Sequence, residues 1–383
     1  MYHLVRPNMT HTNRICLTMI VKNETAVLPR LFNSLKNIIN YYVIVDTGST
    51  DGTPLFIKQW MDNKGIKGEV HSHDWVNFGF NRNQALQYAY HSQAADWALF
   101  IDADEELAFT DPLFYKRLTP GVSYSLEKRH RQLRYRLQNL VDISQTRWEW
   151  QGVVHEYLSY IDGSTARDVM PEAWIIYHEG EGVRSRGVTA QQKYLSDARL
   201  LETELTQHPT DTRSRFYLAQ SYRDAGVIDK AYKNYLKRAR MEGWPEENFV
   251  AQYQAGVLAI RLNKPYSEIV ELLLNAYEKR PSRGTEPLHQ LAAYCRKKNW
   301  YTQAYLFAKT GSEIPYPTDQ LFVEKDTYEW CIFDELSIAA YWTGHYQDSK
   351  VLCEKLLAMA LSIEDAERIE KNLQFAIQKL SEQ

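Results

Sequence analysis

The chain has 383 residues, of which 44% are apolar and 24% charged, and its formal net charge is −3. This length favours two domains, and the composition is that of a globular protein rather than a disordered chain. Because a phosphate backbone requires a basic surface, the slightly acidic balance predicts no nucleic-acid partner.

The cysteines and the hydropathy pattern indicate the compartment. The four cysteines are scattered, without the paired spacing of a zinc site or a disulfide framework, which is typical of a reducing cytosol. The N-terminal stretch lacks the apolar core of a signal peptide, and the sequence contains no uncharged apolar run of about 18 residues. We therefore expect a cytoplasmic protein without an integral membrane segment, at most peripheral to a membrane.

The first half alternates short apolar runs with helical patterns. Such alternation predicts parallel βαβ units whose strands are buried on both faces. The predicted strands are 15–21, 41–46, 68–73 and 96–102, and the predicted helices are 24–38, 53–65 and 81–94. Four further β-like segments between 121 and 180 would extend this sheet, among them "VVHEYLSYI" at 153–161.

Each predicted strand ends in a polar loop. These loops are "KNE" (22–24), "DTGSTDGT" (46–53), "HDWVNFGFNRN" (73–83) and "DADEE" (102–106). In open α/β sheets, ligands bind where the carboxyl ends of the strands meet. We therefore expect one site built from these four loops.

The "DADEE" loop has the chemistry of a metal and phosphate site. Asp102 and Asp104 can present carboxylate oxygens to a divalent cation that also binds a diphosphate. Glu105 and Glu106 are instead expected to be acids at the start of a helix. The haloacid-dehalogenase-like phosphohydrolases also use two aspartates at this spacing, but on their first strand and with Thr or Val where Glu106 stands here.

From residue 187 onward the pattern is helical. In the segment 216–239, Ala219, Tyr222, Gly226 and Ala231 stand at offsets 0, 3, 7 and 12, which is similar to a tetratricopeptide helix pair. Weaker copies occur at 291–308 (Ala292, Ala304), at 336–357 (Ser337, Gly344, Ser349) and around 250–280. Stacked pairs would form an α-solenoid with a concave surface, and an irregular helical bundle is the alternative.

The ordered set "LTMIVKNE", "VIVDTGSTDGT", "NRNQAL" and "DWALFIDADEEL" resembles the family 2 glycosyltransferases of GT-A fold, over about residues 15–180. With "WQGVVHE", "IIYHEG" and the repeats, the chain resembles members that carry a helical-repeat domain. The resemblance and the helical pattern imply a transferase domain at 1–186 and a repeat domain at 187–383. The resemblance also implies inverting transfer of a hexose from a nucleoside diphosphate sugar, and analogy with the family favours a UDP-sugar. It also implies Mn²⁺ or Mg²⁺, and a glycan, lipopolysaccharide-core or peptide acceptor that the repeats would hold.

By the same motif match, the resemblance assigns roles to single residues. Asp102 would contact the ribose or the metal, and Asp104 would be the direct metal ligand. The residues expected to line the nucleobase and ribose pocket are Asn23, Glu24, Asp46 and Arg82.

An inverting displacement also needs a general base near the acceptor. Members of this fold commonly place an acidic base in the region of His155 and Glu156, so Glu156 is the first candidate and His155 the second. If both lie on a strand, only one of them can face the site. His178 is a candidate to complete the metal shell or to contact the diphosphate, or else a structural residue.

Several assignments stay open at this stage. Trp148 and Trp150 would stack on a sugar, wall the acceptor cleft or pack in the core, and the basic run 127–136 would bind an anionic group or form a solvated face. A homodimer is compatible with the sequence. The competing interpretation of the whole chain is a non-catalytic adaptor that works through its repeats and keeps a degenerate transferase domain.

Overall fold

A computed structural model describes residues 13–130, 133–162, 165–182, 187–319 and 321–382. The chain divides into two compact units, Met1–Glu204 and Leu205–Gln383. The sequence placed the boundary at 186/187, where the helical pattern starts. The difference arises because the first long helix after that point, α4 (Ala190–Gln207), lies mostly in the first unit.

The first unit is an α/β domain. Its main sheet contains β1 (Ile15–Val21), β2 (Tyr41–Asp46), β3 (Lys67–Ser72), β4 (Trp97–Phe100), β5 (Glu105–Phe109), β6 (Val122–His130), β7 (Leu133–Asp142) and β10 (Ala166–Tyr177). A separate ribbon contains β8 (Arg147–Gln151) and β9 (Tyr157–Asp162). The helices are α1 (Leu28–Leu35), α2 (Thr53–Asn63), α3 (Phe78–Ser92) and α4.

The sheet order is β3-β2-β1-β4-β7-β6-β10-β5. The first four strands are parallel, β7 runs antiparallel to both of its neighbours, and β6 and β10 are again parallel. This confirms the predicted GT-A class, a largely parallel sheet that later strands extend. The carboxyl ends of β1, β2 and β4 therefore meet at one edge.

Both faces of β1, β2 and β4 are buried, which explains their continuous apolar runs, whereas the edge strand β3 is polar and partly exposed. Leu17 and Ile44 belong to one core, whereas their chain neighbours Cys16 and Val43 belong to the core on the other face, against α3. Burial raises the pKa of the Cys16 thiol to about 12. Cys16 is thus a small core residue rather than a reactive thiol.

Two local predictions are wrong. Glu105 and Glu106 do not start a helix, because they open β5, which pairs antiparallel with β10. The predicted strand at 153–161 begins only at Tyr157, so His155 and Glu156 lie in the loop before β9. The left-handed backbone of His155, with a φ of 54°, interrupts the extended conformation there.

The second unit is helical over its described residues. Its helices are α5 (Thr212–Asp224), α6 (Ile228–Ala239), α7 (Pro245–Arg261), α8 (Tyr266–Lys279), α9 (Thr285–Lys297), α10 (Tyr301–Ser312), α11 (Ile332–Trp342), α12 (Tyr346–Leu357) and α13 (Ile363–Ser381). Consecutive helices pack on each other, and α7, α9 and α11 also contact one another in succession. No helix within the described residues is long and apolar enough to span a membrane.

The turns inside the helix pairs show the register of the repeats. A left-handed residue lies in the turn of each pair: Gly226, Asn263, Asn299 and Gly344. Seven positions before each stands a buried small residue: Ala219, Gly256, Ala292 and Ser337. The degenerate copy around 250–280 is therefore a true pair, α7 and α8, in which Asn replaces the turn glycine because Asn tolerates left-handed φ.

Candidate functional site

An open cleft of about 480 Å³ lies at the carboxyl ends of the parallel strands. It is lined by the loops after β1, β2 and β4, by the loop before β9 and by α4. Of the residues singled out from the sequence, the lining includes Glu24, Arg82, Asp102, Asp104 and Glu156. The structure thus brings together residues that are up to 132 positions apart (156 − 24).

Arg82 links the two sides of the cleft. Its Nη2 donates to Asp102 Oδ1 at 2.7 Å, and its Nε donates to Glu156 Oε1 at 2.7 Å. The guanidinium also lies over the Trp150 ring, 5.1 Å from its centroid. The Asp102 and Glu156 charges raise the pKa of Arg82 against the opposing effect of burial. Arg82 is therefore a fixed cation that orients both carboxylates.

The neighbours of Arg82 hold it in place. The Asn81 side chain accepts from the Val76 N–H at 3.0 Å and donates to the Asp74 carbonyl at 3.0 Å, so it closes the loop before α3. Asn83 exchanges two hydrogen bonds with the Trp150 backbone, at 2.7 and 2.9 Å, and joins α3 to β8. Each residue of "NRN" therefore has a separate task.

The loop after β4 is a tight turn. The Asp102 N–H donates to Glu105 Oε2 at 2.8 Å, and the Glu105 N–H donates to the Asp102 carbonyl at 3.1 Å. Glu105 is 2% exposed and pairs with Lys128 at 2.5 Å. Burial raises the pKa of Glu105, and the Lys128 ammonium opposes that rise. Lys128 is thus a buried partner of the turn rather than part of a solvated basic face.

Asp104 lines the cleft and is partly buried. Burial raises the pKa of its carboxyl, and the nearby Asp102 charge raises it further. Gly182 closes around it, because a Cβ there would lie 2.5 Å from Asp104 Oδ2. Among the described residues no three His, Cys, Asp or Glu side chains cluster as a preformed metal cage. Mg²⁺ and Mn²⁺ need no such cage, since one or two carboxylates plus substrate phosphates suffice.

His178 lies beside the acidic turn but not on the cleft lining. Its backbone N–H donates to the Asp104 carbonyl at 3.1 Å. Its Nε2 lies 3.2 Å from Glu106 Oε2. To reach a cation at Asp104, the imidazole would have to leave Glu106.

Of the residues predicted to line the nucleotide pocket, Asn23 and Asp46 hold loops in shape, whereas Glu24 lines the cleft. Asn23, with a φ of 56°, accepts from the Thr50 N–H at 2.7 Å and so ties two loops together, whereas Glu24 lines the cleft. Asp46 Oδ2 accepts from the Gly48 and Ser49 N–H groups at 3.2 and 3.1 Å. Asp46 Oδ1 is buried with no hydrogen-bond partner, and Asp46 itself does not line the cleft, although the next residue, Thr47, does.

Asp51 joins the same two loops. Its carboxylate accepts from the backbone and hydroxyl groups of both Thr25 and Thr53. Although burial alone would raise the pKa of Asp51, the hydrogen bonds from Thr53 and Thr25 lower it to about 2. Because the folded-state pKa is below the ordinary value, the carboxylate stabilises the fold above about pH 4 and loses this effect as the pH falls towards 2.

We expect Asp51→Asn to lower the free energy of unfolding by about 1 kcal/mol at pH 7, because the loop and helix-start bonds weaken. The difference from the wild type should shrink below about pH 4. Urea unfolding at pH 7, 5 and 2.5 measures it, with Asp62→Asn, an exposed residue of α2, as the control for loss of one charge. An equal difference at pH 7 and pH 2.5 would contradict the assignment.

The loop before β9 places Glu156 at the cleft and leaves His155 outside its lining. The side chain of Glu156 is 13% exposed, whereas His155 is an exposed residue. This loop packs on the start of α3, where a Cβ on Gly79 would lie 2.2 Å from the Gly152 carbonyl oxygen. The loop can approach the helix this closely because residue 79 has no side chain.

We expect Gly79→Ala to destabilise the protein by about 1–3 kcal/mol, although alanine favours helix more than glycine. The displaced loop should also move Glu156 and reduce turnover by roughly a hundredfold. Urea unfolding and a nucleotide-release assay measure the two effects. Gln87→Ala, at an exposed position of α3, is the control that carries only the helix-propensity change. A stabilised Gly79→Ala variant would show that the contact is not limiting.

Some cleft residues were not found from the sequence. Trp75 and Phe78 form an edge-to-face pair, with centroids 4.7 Å apart, at the mouth of the cleft. Lys193 and Asp197 reach the cleft from α4, which the helical pattern had assigned to the other domain. The sequence of α4 is polar, and this pattern does not show that the helix lines a cleft formed by distant strand ends.

The two tryptophans are structural, whereas the basic run contains the buried Lys128 and the exposed Arg134 and Arg136. Trp148 is fully buried and donates from Nε1 to the Asp142 carbonyl at 2.8 Å, and Trp150 supports Arg82. Neither lines the cleft. In the basic run, Arg129 pairs with Glu127 at 2.6 Å and lies over Trp174, while residues 131 and 132 fall outside the described chain.

The sheet order and the acidic cleft define a GT-A domain. Residues 16–112 match the model of the family "Glycosyl transferase family 2". The chain therefore carries a family 2 glycosyltransferase domain, followed by tetratricopeptide-like helix pairs, as the motif order predicted.

Relatives support both halves. A TPR repeat-containing protein of Synechococcus elongatus is 26% identical over 306 residues, which is 75% of this chain and 71% of the relative. An uncharacterized glycosyltransferase of Rickettsia felis is 32% identical over 122 residues, or 32% of this chain and 37% of that protein. The glycosyltransferase SunS of Bacillus subtilis is 34% identical over 93 residues, or 24% of this chain and 20% of that protein. This chain thus matches well under half of either named glycosyltransferase.

Among solved structures, the helical part is similar to MamA, with a TM-score of 0.32 and 12% identity over 49% of this chain and 82% of that one. A tetratricopeptide repeat protein from Parabacteroides merdae is similar with a TM-score of 0.37 and 12% identity, over 50% of this chain and 69% of that one. The repeat architecture follows from the helix pairing and from the turn residues Gly226, Asn263, Asn299 and Gly344.

Proposed function

We propose that this protein is an inverting, metal-dependent glycosyltransferase that moves a hexose from a nucleoside diphosphate sugar to a glycan, lipopolysaccharide-core or peptide acceptor. The observation that carries the proposal is the Arg82 bridge, which joins the acidic turn after β4 to Glu156 within a family 2 domain. One side of that bridge would bind the donor diphosphate, and the other would activate the acceptor.

The acidic turn is the proposed metal site. Asp104 would hold Mn²⁺ or Mg²⁺ directly, with Asp102 beside it and the donor diphosphate completing the shell. When bound, such a cation would stabilise the negative charge that develops on the departing nucleoside diphosphate. The raised pKa of Asp104 fits this role, because a nearby dication would favour the ionised carboxylate that burial disfavours.

The nucleobase and ribose would lie against the loops after β1 and β2. Asp46 Oδ1, buried and without a partner, would accept from a ring N–H of the base. Uracil and guanine both offer such a donor, so UDP remains the first choice on family analogy and GDP the second. Glu24 lines the cleft where it can accept from a ribose hydroxyl, and Asn23 would hold the loop in shape.

Glu156 is the proposed general base. Its carboxylate lines the cleft and is oriented by the Arg82 Nε–H at 2.7 Å, and such an oriented carboxylate can take the proton of an acceptor hydroxyl. His155 stays the second candidate. Arg82 acts as a positioning residue, since it fixes the base relative to the acidic turn.

Calorimetry with UDP- and GDP-sugars, with and without Mn²⁺, tests the proposal. We expect binding that depends on the cation. Loss of any cation-dependent nucleotide binding would leave the adaptor interpretation, and release of phosphate from phosphomonoesters would favour the phosphohydrolase. A donor screen scored by nucleotide release, followed by mass spectrometry of candidate acceptors, identifies the substrates. The same proposal has the protein act in the cytoplasm, at most peripheral to a membrane, and it is compatible with a homodimer.

A further inference from the structure

The strands β6 and β7 form a hairpin whose outer part lies beyond the end of β4. Strand β7 pairs with β4 over residues 140–142, and with β6 as far out as Leu133. Residues 134–137 of β7 are all exposed. The outer part of the hairpin is therefore a solvent-facing surface, and the ion pair between Lys128 and Glu105 joins it to the acidic turn after β4.

The register of the hairpin brings three arginines to one face. Residues directly opposite each other in an antiparallel pair share a face, and here Glu127 is opposite Arg136 while Arg129 is opposite Arg134. Because side chains alternate along a strand, Lys128 lies on the other face. We call Glu127, Arg129, Arg134 and Arg136 the arginine face.

The charges of the arginine face are not balanced among themselves. Glu127 Oε1 lies 2.6 Å from Arg129 Nε and 3.6 Å from Arg134 Nη1, so one carboxylate serves two guanidinium groups. The three arginines and one glutamate give these four positions a net charge of +2. Like charges directly opposite each other destabilise a sheet. A bound anion would remove this repulsion.

The arginine face is also partly preorganised. The Arg129 guanidinium lies over the Trp174 ring, 4.0 Å from its centroid, and is held from the side by Glu127. Arg134 and Arg136 are exposed, so their guanidinium groups can reach a ligand from solvent. The face thus combines one fixed cation with two accessible cations.

The arginine face and the proposed general base lie on the same side of the sheet. Leu126 belongs to the core on the side of α1, so its neighbour Glu127 points to the opposite side. On that opposite side α3 and the β8–β9 ribbon pack, since Trp148 of β8 belongs to one core with Val141 of β7. Glu156 reaches the cleft from the loop between β8 and β9. An acceptor that approaches Glu156 would therefore have the arginine face on its own side of the sheet.

We propose that the arginine face binds a phosphate group carried by the acceptor. Guanidinium groups bind phosphate oxygens through paired hydrogen bonds, and a phosphate monoester carries about −1.5 to −2 charges at pH 7, which matches the unbalanced charge. The donor diphosphate is a separate ligand, because Lys128 on the other face pairs with Glu105 in the turn that carries Asp104. The role of the ligand as acceptor rests on the proposed function, whereas its binding can be tested without turnover.

The test uses the full chain, with glucose 6-phosphate as the probe and glucose as its uncharged counterpart. NMR titration of the arginine side-chain N–H signals detects millimolar binding. We expect glucose 6-phosphate to bind the wild type and glucose not to bind. In Arg134→Gln/Arg136→Gln the dissociation constant should rise at least tenfold, because charge-assisted hydrogen bonds are lost. The matched control, Arg117→Gln/Arg199→Gln, removes two other exposed arginines of the same unit and should bind like the wild type.

Equal binding of the two sugars, or equal binding of glucose 6-phosphate by the two double variants, would overturn the proposal. Loss of Mn²⁺-dependent donor binding in Arg134→Gln/Arg136→Gln would also overturn it, since the arginines would then serve the donor. Phosphatidylglycerol vesicles that bind the wild type but not this variant, without any binding of glucose 6-phosphate, would assign the face to a membrane surface instead.

Two further results separate this proposal from folding and from the transferase function. If thermal unfolding shows that the double variant is not folded, the single variants Arg134→Gln and Arg136→Gln replace it, and each should weaken binding at least threefold. If the wild type binds glucose 6-phosphate through these arginines but binds no nucleotide sugar, the phosphate site stands and the proposed transferase function fails.

Discussion

Asp104→Asn should abolish cation-dependent binding of the nucleotide sugar. The amide keeps the size of the side chain but removes the charge that holds a divalent cation, a contribution of several kcal/mol, so affinity in Mn²⁺ should fall by roughly a hundredfold or more. Any binding measured without the cation should change little. Calorimetry with the donor that the screen selects, at saturating and zero Mn²⁺, measures both quantities.

Glu106→Gln is the matched control for this variant. Glu106 is two positions away on β5, has the same charge and contacts His178 instead of lining the cleft. We expect affinity within a few-fold of the wild type. Equal losses in the two variants would mean that the general negative charge of the turn, rather than a ligand at Asp104, attracts the donor. Thermal unfolding of both proteins separates binding from folding.

Glu156→Gln should leave donor binding nearly intact and lower turnover by about 10²–10⁴-fold, the usual contribution of a general base. The glutamine can still accept the Arg82 hydrogen bond, so the loop should keep its place, but it cannot take a proton. The measurement is nucleoside diphosphate release from the selected donor in the presence of its acceptor, with kcat and the donor KM determined separately.

The control for this second variant is Glu149→Gln. Glu149 lies on β8, accepts from Gln151 at 2.7 Å and does not line the cleft. Its turnover should stay close to that of the wild type. If Glu156→Gln turns over normally while His155→Ala does not, the base is His155 and the loop must rearrange when substrates bind.

Arg82 connects the two regions in which these variants lie, because it binds Glu156 directly and binds Asp102 in the turn that carries Asp104. One guanidinium binds a carboxylate from each side of the cleft, and it is packed on Trp150 and fixed by hydrogen bonds of its two neighbours. The sequence had assigned Arg82 to the nucleotide pocket from the family resemblance. In the structure it contacts Asp102 and Glu156, and for that reason it is now proposed to position the base.

Much of the fold could be predicted because its signals are local. The strands β1 and β2 have the predicted bounds, since a parallel strand buried on both faces must be a continuous apolar run that ends where polar groups begin. The strand-end loops likewise predicted the cleft. The repeat spacing was also visible, although the pair α7 and α8 became clear only when Asn263 was seen to occupy the turn position of glycine.

The sequence could not predict which acids pair with which bases. Two glutamates after a strand resemble a helix start, and Glu105 opens a strand because Lys128, from β6, neutralises it inside the sheet. No local pattern contains that partner. The same limit applies to α4, whose residues Lys193 and Asp197 line the cleft.

The sequence by itself therefore determined the two-part architecture, the loops that form the site and four of its acids, Glu24, Asp102, Asp104 and Glu156. Periodicity and strand-end chemistry are properties of neighbouring residues, and they can be seen without coordinates. The tertiary structure alone decided that Asp102 and Glu156 share one arginine and that Glu105 is a buried partner of Lys128. Each of these depends on charges brought together from distant positions, where the cost of burying an unpaired ion selects the partner.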